Sequence, residues 1–174
     1  MTEHQQYSVV ASLPGFELRE YPAYSTVSIT MKESFDQSGN RAFTPLVRYI
    51  GGSNSDGRQI AMTAPVIQEP QPDGEQLVQF VMPAGFTAAD MPAPQDARLA
   101  CQEMPAHLAA AIRYSGLATE SAFRKQLARL EKALATAGYA AAGPARSARF
   151  DPPWKPPFMR HNEVIVPVQA SVVA

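Results

Sequence analysis

Apolar positions recur along this chain with two different periods. Over Ala23 to Met31, Val27, Ile29 and Met31 alternate with serine and threonine, the two-residue period of a half-buried strand. Phe16 to Tyr21 just before them also reads as extended, with Pro22 as a break or bulge between the two runs. From Ser34 to about Ile50 the spacing changes: Phe35, Ala42, Phe43, Leu46, Val47 and Ile50 fall close to one helical face, and Gly51-Gly52 supplies the stop. Pro45 cannot donate to the carbonyl of Arg41, which predicts a kink or a late helix start. Ser53 to Gly57 has turn composition. Ile60 to Ile67 and Gln76 to Met82 form a predicted hairpin around the loop Glu69 to Glu75. The proline- and alanine-bearing tract Pro83 to Asp96 reads as a linker packed on the surface, since Phe86 and Met91 need cover. Strands follow at Arg98 to Glu103 and Leu108 to Ser115. Thr119 then caps the clearest helix, where Phe123, Leu127, Leu130 and Leu134 recur at helical spacing until Gly138. Ala145 to Phe150 and Glu163 to Val168 are the last extended runs.

That order occurs twice. Glu20-Tyr21-Pro22-Ala23-Tyr24 opens one copy and Glu103-Met104-Pro105-Ala106-His107 the other, and each leads through a helix to extended segments. The pattern is β-β-α-β-β twice, or βαββ twice if the strand pairs about Pro22 and Pro105 are single bent strands. It predicts one α+β domain over residues 1–174, with halves at about 16–83 and 98–168. Two helices flank an antiparallel sheet or distorted β-barrel, whose groove or mouth suits a ligand.

Composition narrows the function classes. The 174 residues are 45 % hydrophobic with a formal charge of −1, enough for one core and without the basic stripe that neutralises phosphates, so nucleic acid is not an expected partner. No apolar run approaches the roughly 20 residues of a membrane span, and Met1 to Val10 lacks the pattern of a secretory leader, so the expected place is the cytoplasm. Cys101, the single cysteine, sits in a strand-like run with no zinc-ligand spacing and is expected to pack as a small hydrophobe.

The least ordinary segment is Asp151-Pro152-Pro153-Trp154-Lys155-Pro156-Pro157-Phe158-Met159-Arg160. Its four prolines make a stiff loop rather than a central strand. Displayed, Trp154, Phe158 and Met159 beside Lys155 and Arg160 would suit a flat apolar ligand carrying carboxylates; the plainer alternative is a lid whose tryptophan is buried. Met62 in the run Gln59 to Val66 is a pocket wall or, more commonly, a core methionine. His4, in a tail expected to be mobile, His107 and His161 could each bind iron or be hydrogen-bonded surface residues, and no histidine pair has metal-site spacing. Nucleophile-elbow, Walker and dinucleotide signatures are absent, and Glu17, Glu20, Asp151 and Glu163 read as a charged rim.

Four segments in order, Arg48 to Asn54, Ile60 to Val66, Phe150 to Pro156 and Asn162-Glu163-Val164, resemble the SOUL family of haem-binding proteins, over Phe16 to Val168. The resemblance implies two βαββ repeats forming a distorted barrel with two helices, similar to gyrase-inhibitor-like ligand-binding proteins. It implies haem or another porphyrin in an apolar cleft formed by the first helix and the loop before the last strand, with Arg48 and Lys155 near the propionates. Phe43, Val47, Met62, Trp154 and Phe158 beside these cations are the expected walls. A histidine that serves as axial ligand in one branch is replaced here by Glu20, so binding without a fixed protein ligand to iron is expected. The expected function is therefore non-catalytic buffering or carriage of a tetrapyrrole. The alternatives are an enzyme acting on a ligand in the same cleft with Glu20 or Glu163 as acid or base, and a gyrase-inhibitor-like module that binds small molecules or protein.

Overall fold

The computed structural model describes residues 2–171; residue 1 and residues 172–174, the ends of the expected domain span, lie outside it. In chain order the strands and helices are β1 (Glu3–His4), β2 (Ser8–Leu13), β3 (Phe16–Tyr21), β4 (Tyr24–Met31), α1 (Phe35–Ile50), β5 (Thr63–Ala64), β6 (Val66–Pro70) and β7 (Gln76–Val81). They continue as β8 (Leu99–Met104), β9 (His107–Tyr114), α2 (Glu120–Ala137), β10 (Tyr139–Ala141), β11 (Arg146–Arg149) and β12 (Asn162–Ala170). The fold is α+β, with two helices and antiparallel sheet.

The chain forms two compact units and changes unit after Gln6 and at the two proline steps singled out above, Pro22 and Pro105. The first unit holds the segment ending at Gln6 and Ala23–Pro105; the second holds Tyr7–Pro22 and the segment from Ala106 onward. The Pro83 to Asp96 tract thus lies inside the first unit, where Phe86 and Met91 pack on its core.

In the first unit β6, β7, β4 and β8 form an antiparallel sheet in that order, and β1 pairs in parallel with β5. The N-terminal segment expected to be a mobile tail is therefore tied down, with His4 in register with Ala64. The expected strand Ile60 to Ile67 is broken instead at a cis Ala64–Pro65 bond, which separates β5 from β6. Helix α1 begins at Phe35 and runs through Pro45, so the late start is not found. Arg41 lies on the exposed side, where water can take the carbonyl that the proline leaves. Its buried face is Phe35, Ser38, Gly39, Ala42, Leu46, Tyr49 and Ile50, packed with Val27, Ile29, Val78 and Phe80. Buried Gln68 donates to the Phe35 carbonyl at 2.9 Å and to Gln76 Oε1 at 3.0 Å, so its side-chain amide is not left unpaired.

In the second unit the antiparallel order is β2, β3, β9, β12, β11, with β10 also on β12. Within its own unit each sheet is open, so neither closes as a barrel by itself. Strand β2 was not expected from the sequence; a bulge at Val10 breaks its alternation. Helix α2 is capped as expected: the Thr119 hydroxyl accepts from the Ala122 amide at 3.2 Å, and Gly138 takes a left-handed conformation (φ 83°) at the end. Its buried Phe123, Leu130 and Leu134 supply the apolar cover that Leu18, Ala110, Val164 and Val166 require.

Candidate functional site

The two faces of the second unit's sheet differ in chemistry. Register places Arg19 opposite Ala109, Glu17 opposite Ala111, Tyr21 opposite His107, Glu163 opposite Arg113, and Ile165 opposite both Ala111 and Arg146. Directly paired residues share a face, so Glu17, Arg19, Tyr21, His107, Arg113, Arg146 and Glu163 all project to one side.

At one end of this face sits a closed ion network. Arg19 Nη1 donates to Glu163 Oε2 at 2.7 Å and Nη2 to Glu163 Oε1 at 2.9 Å. Its Nε donates to Glu17 Oε2 at 2.9 Å, Nη1 reaches the Tyr21 hydroxyl at 3.1 Å, and the Tyr7 ring lies 4.0 Å from the guanidinium. All three guanidinium nitrogens are engaged. Burial opposes the charge on Arg19, but the hydrogen bond to Glu163 and the neighbouring Tyr21 hold its pKa above the ordinary value. Burial likewise pushes Glu163 up, and the hydrogen bonds of His161 and Arg19 outweigh it, so the carboxyl sits below its usual range. His161 Nε2 is 2.8 Å from Glu163 Oε1; a carboxylate only accepts, so that nitrogen carries a hydrogen. The imidazole stacks on Phe150 with ring centroids 4.0 Å apart.

Beside this network is a cavity of about 400 Å³, walled by Leu13, Phe16 and Ile112 and bordered by Tyr7, Arg113 and His161. That volume is of small-ligand size. Glu163, a candidate acid or base of the enzymatic alternative, has its pKa lowered by His161 and Arg19 and accepts at both oxygens, and Glu20, the other candidate, lies exposed on the other side of β3.

A few residues away the same face carries a second buried guanidinium with a different environment. Arg146 is 5 % exposed. Its Nη2 lies 3.1 Å from His107 Nε2, its guanidinium carbon 5.2 Å from the Tyr21 ring centroid, and its Nε has no acceptor. Among the described residues no carboxylate pairs with it. A cation–π contact returns about 0.5–2 kcal/mol, against an effective desolvation penalty of several kcal/mol for a buried ion.

The proline loop is held from within. Asp151 accepts from the His161 amide at 2.6 Å and from Lys155 Nζ at 2.7 Å. Burial works against the charge on Asp151, but these two bonds outweigh it and hold the carboxyl below its usual value. Arg160 donates to the Lys155 carbonyl at 2.8 Å and the Pro153 carbonyl at 2.5 Å, and the Gly116 amide donates to the Pro157 carbonyl at 2.9 Å. Trp154 is 83 % exposed and Phe158 78 %, so the loop displays its aromatic side chains, and the lid with a buried tryptophan is not what forms.

The other expected wall residues belong to the first unit. Val47 and Met62 are half-buried against its core, as is Cys101, whose Sγ lies 3.6 Å from the Tyr49 hydroxyl. Arg48 is exposed in the last turn of α1. Phe43, expected on the buried face of α1, is 44 % exposed and meets Phe80 edge to face with centroids 5.7 Å apart. The Arg19–Glu163–His161 network was not foreseen. The one signal for it is a glutamate heading the apolar run Val164-Ile165-Val166, a position that demands a buried partner.

Among the described residues no group of three or more His, Cys, Asp or Glu side chains could hold a metal ion, and no helix is long and apolar enough to cross a membrane. The sequence profile of the family described as SOUL heme-binding protein matches residues 2–167. Heme-binding protein 1 of Xenopus tropicalis is 28 % identical over 163 residues, covering 86 % of this chain and 82 % of that protein. By fold the chain is similar to the EcmrR C-terminal domain, with a TM-score of 0.69 at 15 % identity over 95 % of this chain and 99 % of that one. It is also similar to a hydrolase from Listeria innocua, with a TM-score of 0.63 at 12 % identity over 92 % and 94 % of the two chains.

Proposed function

The chain belongs to the SOUL heme-binding protein family, and from that membership we propose that it binds haem or a related tetrapyrrole without catalysing a reaction on it, as a buffer or carrier. The observation that supports this reading best is the exposed Trp154, Phe158 and Met159 on one internally braced loop. A porphyrin offers a broad apolar disc, and aromatic and thioether surface left in water favours contact with it. Arg48 and Lys155 are the proposed partners of its carboxylates, with Phe43, Val47, Met62, Trp154 and Phe158 as apolar contacts. Lys155 already pairs with Asp151, so a ligand carboxylate has to compete for it, which sets affinity by apolar contact first and charge second. The reading includes two βαββ repeats; the orders β4-α1-β6-β7 and β9-α2-β11-β12 support it. It also includes iron without a fixed protein ligand: His161 is engaged by Glu163 and His107 by Arg146, and Glu20 is a carboxylate.

Titration with haemin and with protoporphyrin IX tests this, followed by the Soret band and by the fluorescence of Trp154, the single tryptophan. Saturable binding of both, with quenching, is expected. Lys155→Glu and Arg48→Glu should each weaken it by about tenfold or more, the size of a charge-assisted hydrogen bond. Absence of saturation with either ring would overturn the proposal.

A further inference from the structure

We propose that Arg146, with His107 and Tyr21, forms a site for the carboxylate of a small organic acid, separate from the tetrapyrrole contacts. The starting observation is a charge that the protein itself leaves unbalanced. Arg146 is as buried as Arg19, at 5 % against 4 % exposed, and stands on the same face of the same sheet. Arg19 has two carboxylates; Arg146 has none among the described residues. Its polar contact is His107 Nε2, and because a guanidinium only donates, that nitrogen accepts and the imidazole contributes no negative charge. The Tyr21 ring below it stacks on His107 with planes 13° apart, so one aromatic platform positions both the imidazole and the cation. Tyr21 is itself fixed by the hydrogen bond from Arg19, and burial, working against the nearby arginines, holds its phenol protonated and neutral.

Three features select the ligand class. The unmatched charge is positive, so the ligand is an anion. The Arg146 Nε–H has no acceptor, and a planar carboxylate can take parallel N–H groups from one guanidinium. A water could accept from Nε but would leave the charge uncompensated, so hydration alone does not complete the site. The aromatic floor of Tyr21 and His107 favours an acid with an apolar or aromatic body over a bare inorganic ion.

The test uses the full chain with sodium benzoate as probe, against sodium chloride and sodium phosphate at equal ionic strength. The readouts are the thermal midpoint and the Nε–H resonance of Arg146. Benzoate is expected to raise the midpoint saturably, with half-saturation below about 10 mM, and to move the Arg146 Nε–H resonance. Arg146→Gln should abolish the midpoint response while melting no lower than the parent without benzoate, and Arg113→Gln, which removes an exposed cation of the same face, should preserve both the midpoint response and the shift of the Arg146 resonance. An equal midpoint response in the parent and Arg146→Gln, or an unmoved Nε–H resonance in the unaltered protein, would overturn the site. A larger response to phosphate than to benzoate would overturn the carboxylate assignment. None of these readouts involves Trp154 or haemin, so failure here leaves the tetrapyrrole reading untouched, and the reverse.

Discussion

Arg19 and Arg146 lie on one face of one sheet, equally buried, and their surroundings differ in a single respect. Around Arg19 the chain supplies Glu17 and Glu163 and uses all three guanidinium nitrogens. Around Arg146 it supplies an imidazole and a ring. The first arrangement is complete within the protein and can only brace it. The second carries a positive charge that its own unit does not answer. Burial alone therefore does not separate a structural cation from a recruiting one; the inventory of counter-charges does.

The strongest way to break this contrast is to remove the answer to Arg19. Glu163→Gln leaves the buried guanidinium only the part-exposed Glu17 carboxylate and should cost about 1–3 kcal/mol in urea unfolding, whereas replacing Arg19 and Glu163 together with apolar residues should recover much of that loss. If the single variant is as stable as the parent, the network does not brace the sheet. A smaller effect follows from pH. The Glu163 carboxyl lies below its ordinary value of 4.5, so its stabilisation is present in full above that value and is lost as pH falls through the lower folded value. Asp151 acts with the same sign. Unfolding free energies measured downward from pH 5 should therefore fall steeply in the parent and less steeply in Glu163→Gln. The smallest effect is expected at the other arginine. In a buffer free of organic acids, Arg146→Met should leave stability unchanged or raise it by about 1 kcal/mol, because it removes an unpaired buried charge. A loss comparable to that of Glu163→Gln would erase the distinction.

Periodicity made much of the fold legible. Helix α2, with its threonine cap and terminal glycine, and strands β3, β4 and β9 lie where alternation and spacing place them, because their apolar sets face one side only. Strands β1 and β2 were not legible: Glu3 and His4 carry no apolar signal, and the bulge at Val10 spoils the period of β2. Phe43 was assigned to the buried face by spacing alone, yet Gly39 and Tyr49 hold that face and Phe43 meets Phe80 from its edge. The proline loop was legible as a loop because four prolines exclude a central strand, but its display of Trp154 was not, since a lid with a buried tryptophan was the plainer expectation. The ion network was not, since Arg19 and Glu163 are 144 residues apart and no local spacing rule connects them. Glu163 and His161 were visible as separate candidates, and two positions apart along a strand they are a pair only once the register is known.

The change of unit at Pro22 and Pro105 has a consequence for manufacture. Ala23–Pro105 is one continuous stretch, complete as soon as it leaves the ribosome, but β3 has only β2 beside it until β9 is made, and Arg19 meets Glu163 only with the final strand. A chain cut short before β12 leaves a charged residue and an open strand edge exposed. Such features mark unfinished proteins for chaperones and proteases. The same ion pair that braces the finished sheet thus forms only once β12 has been made and has paired with β9.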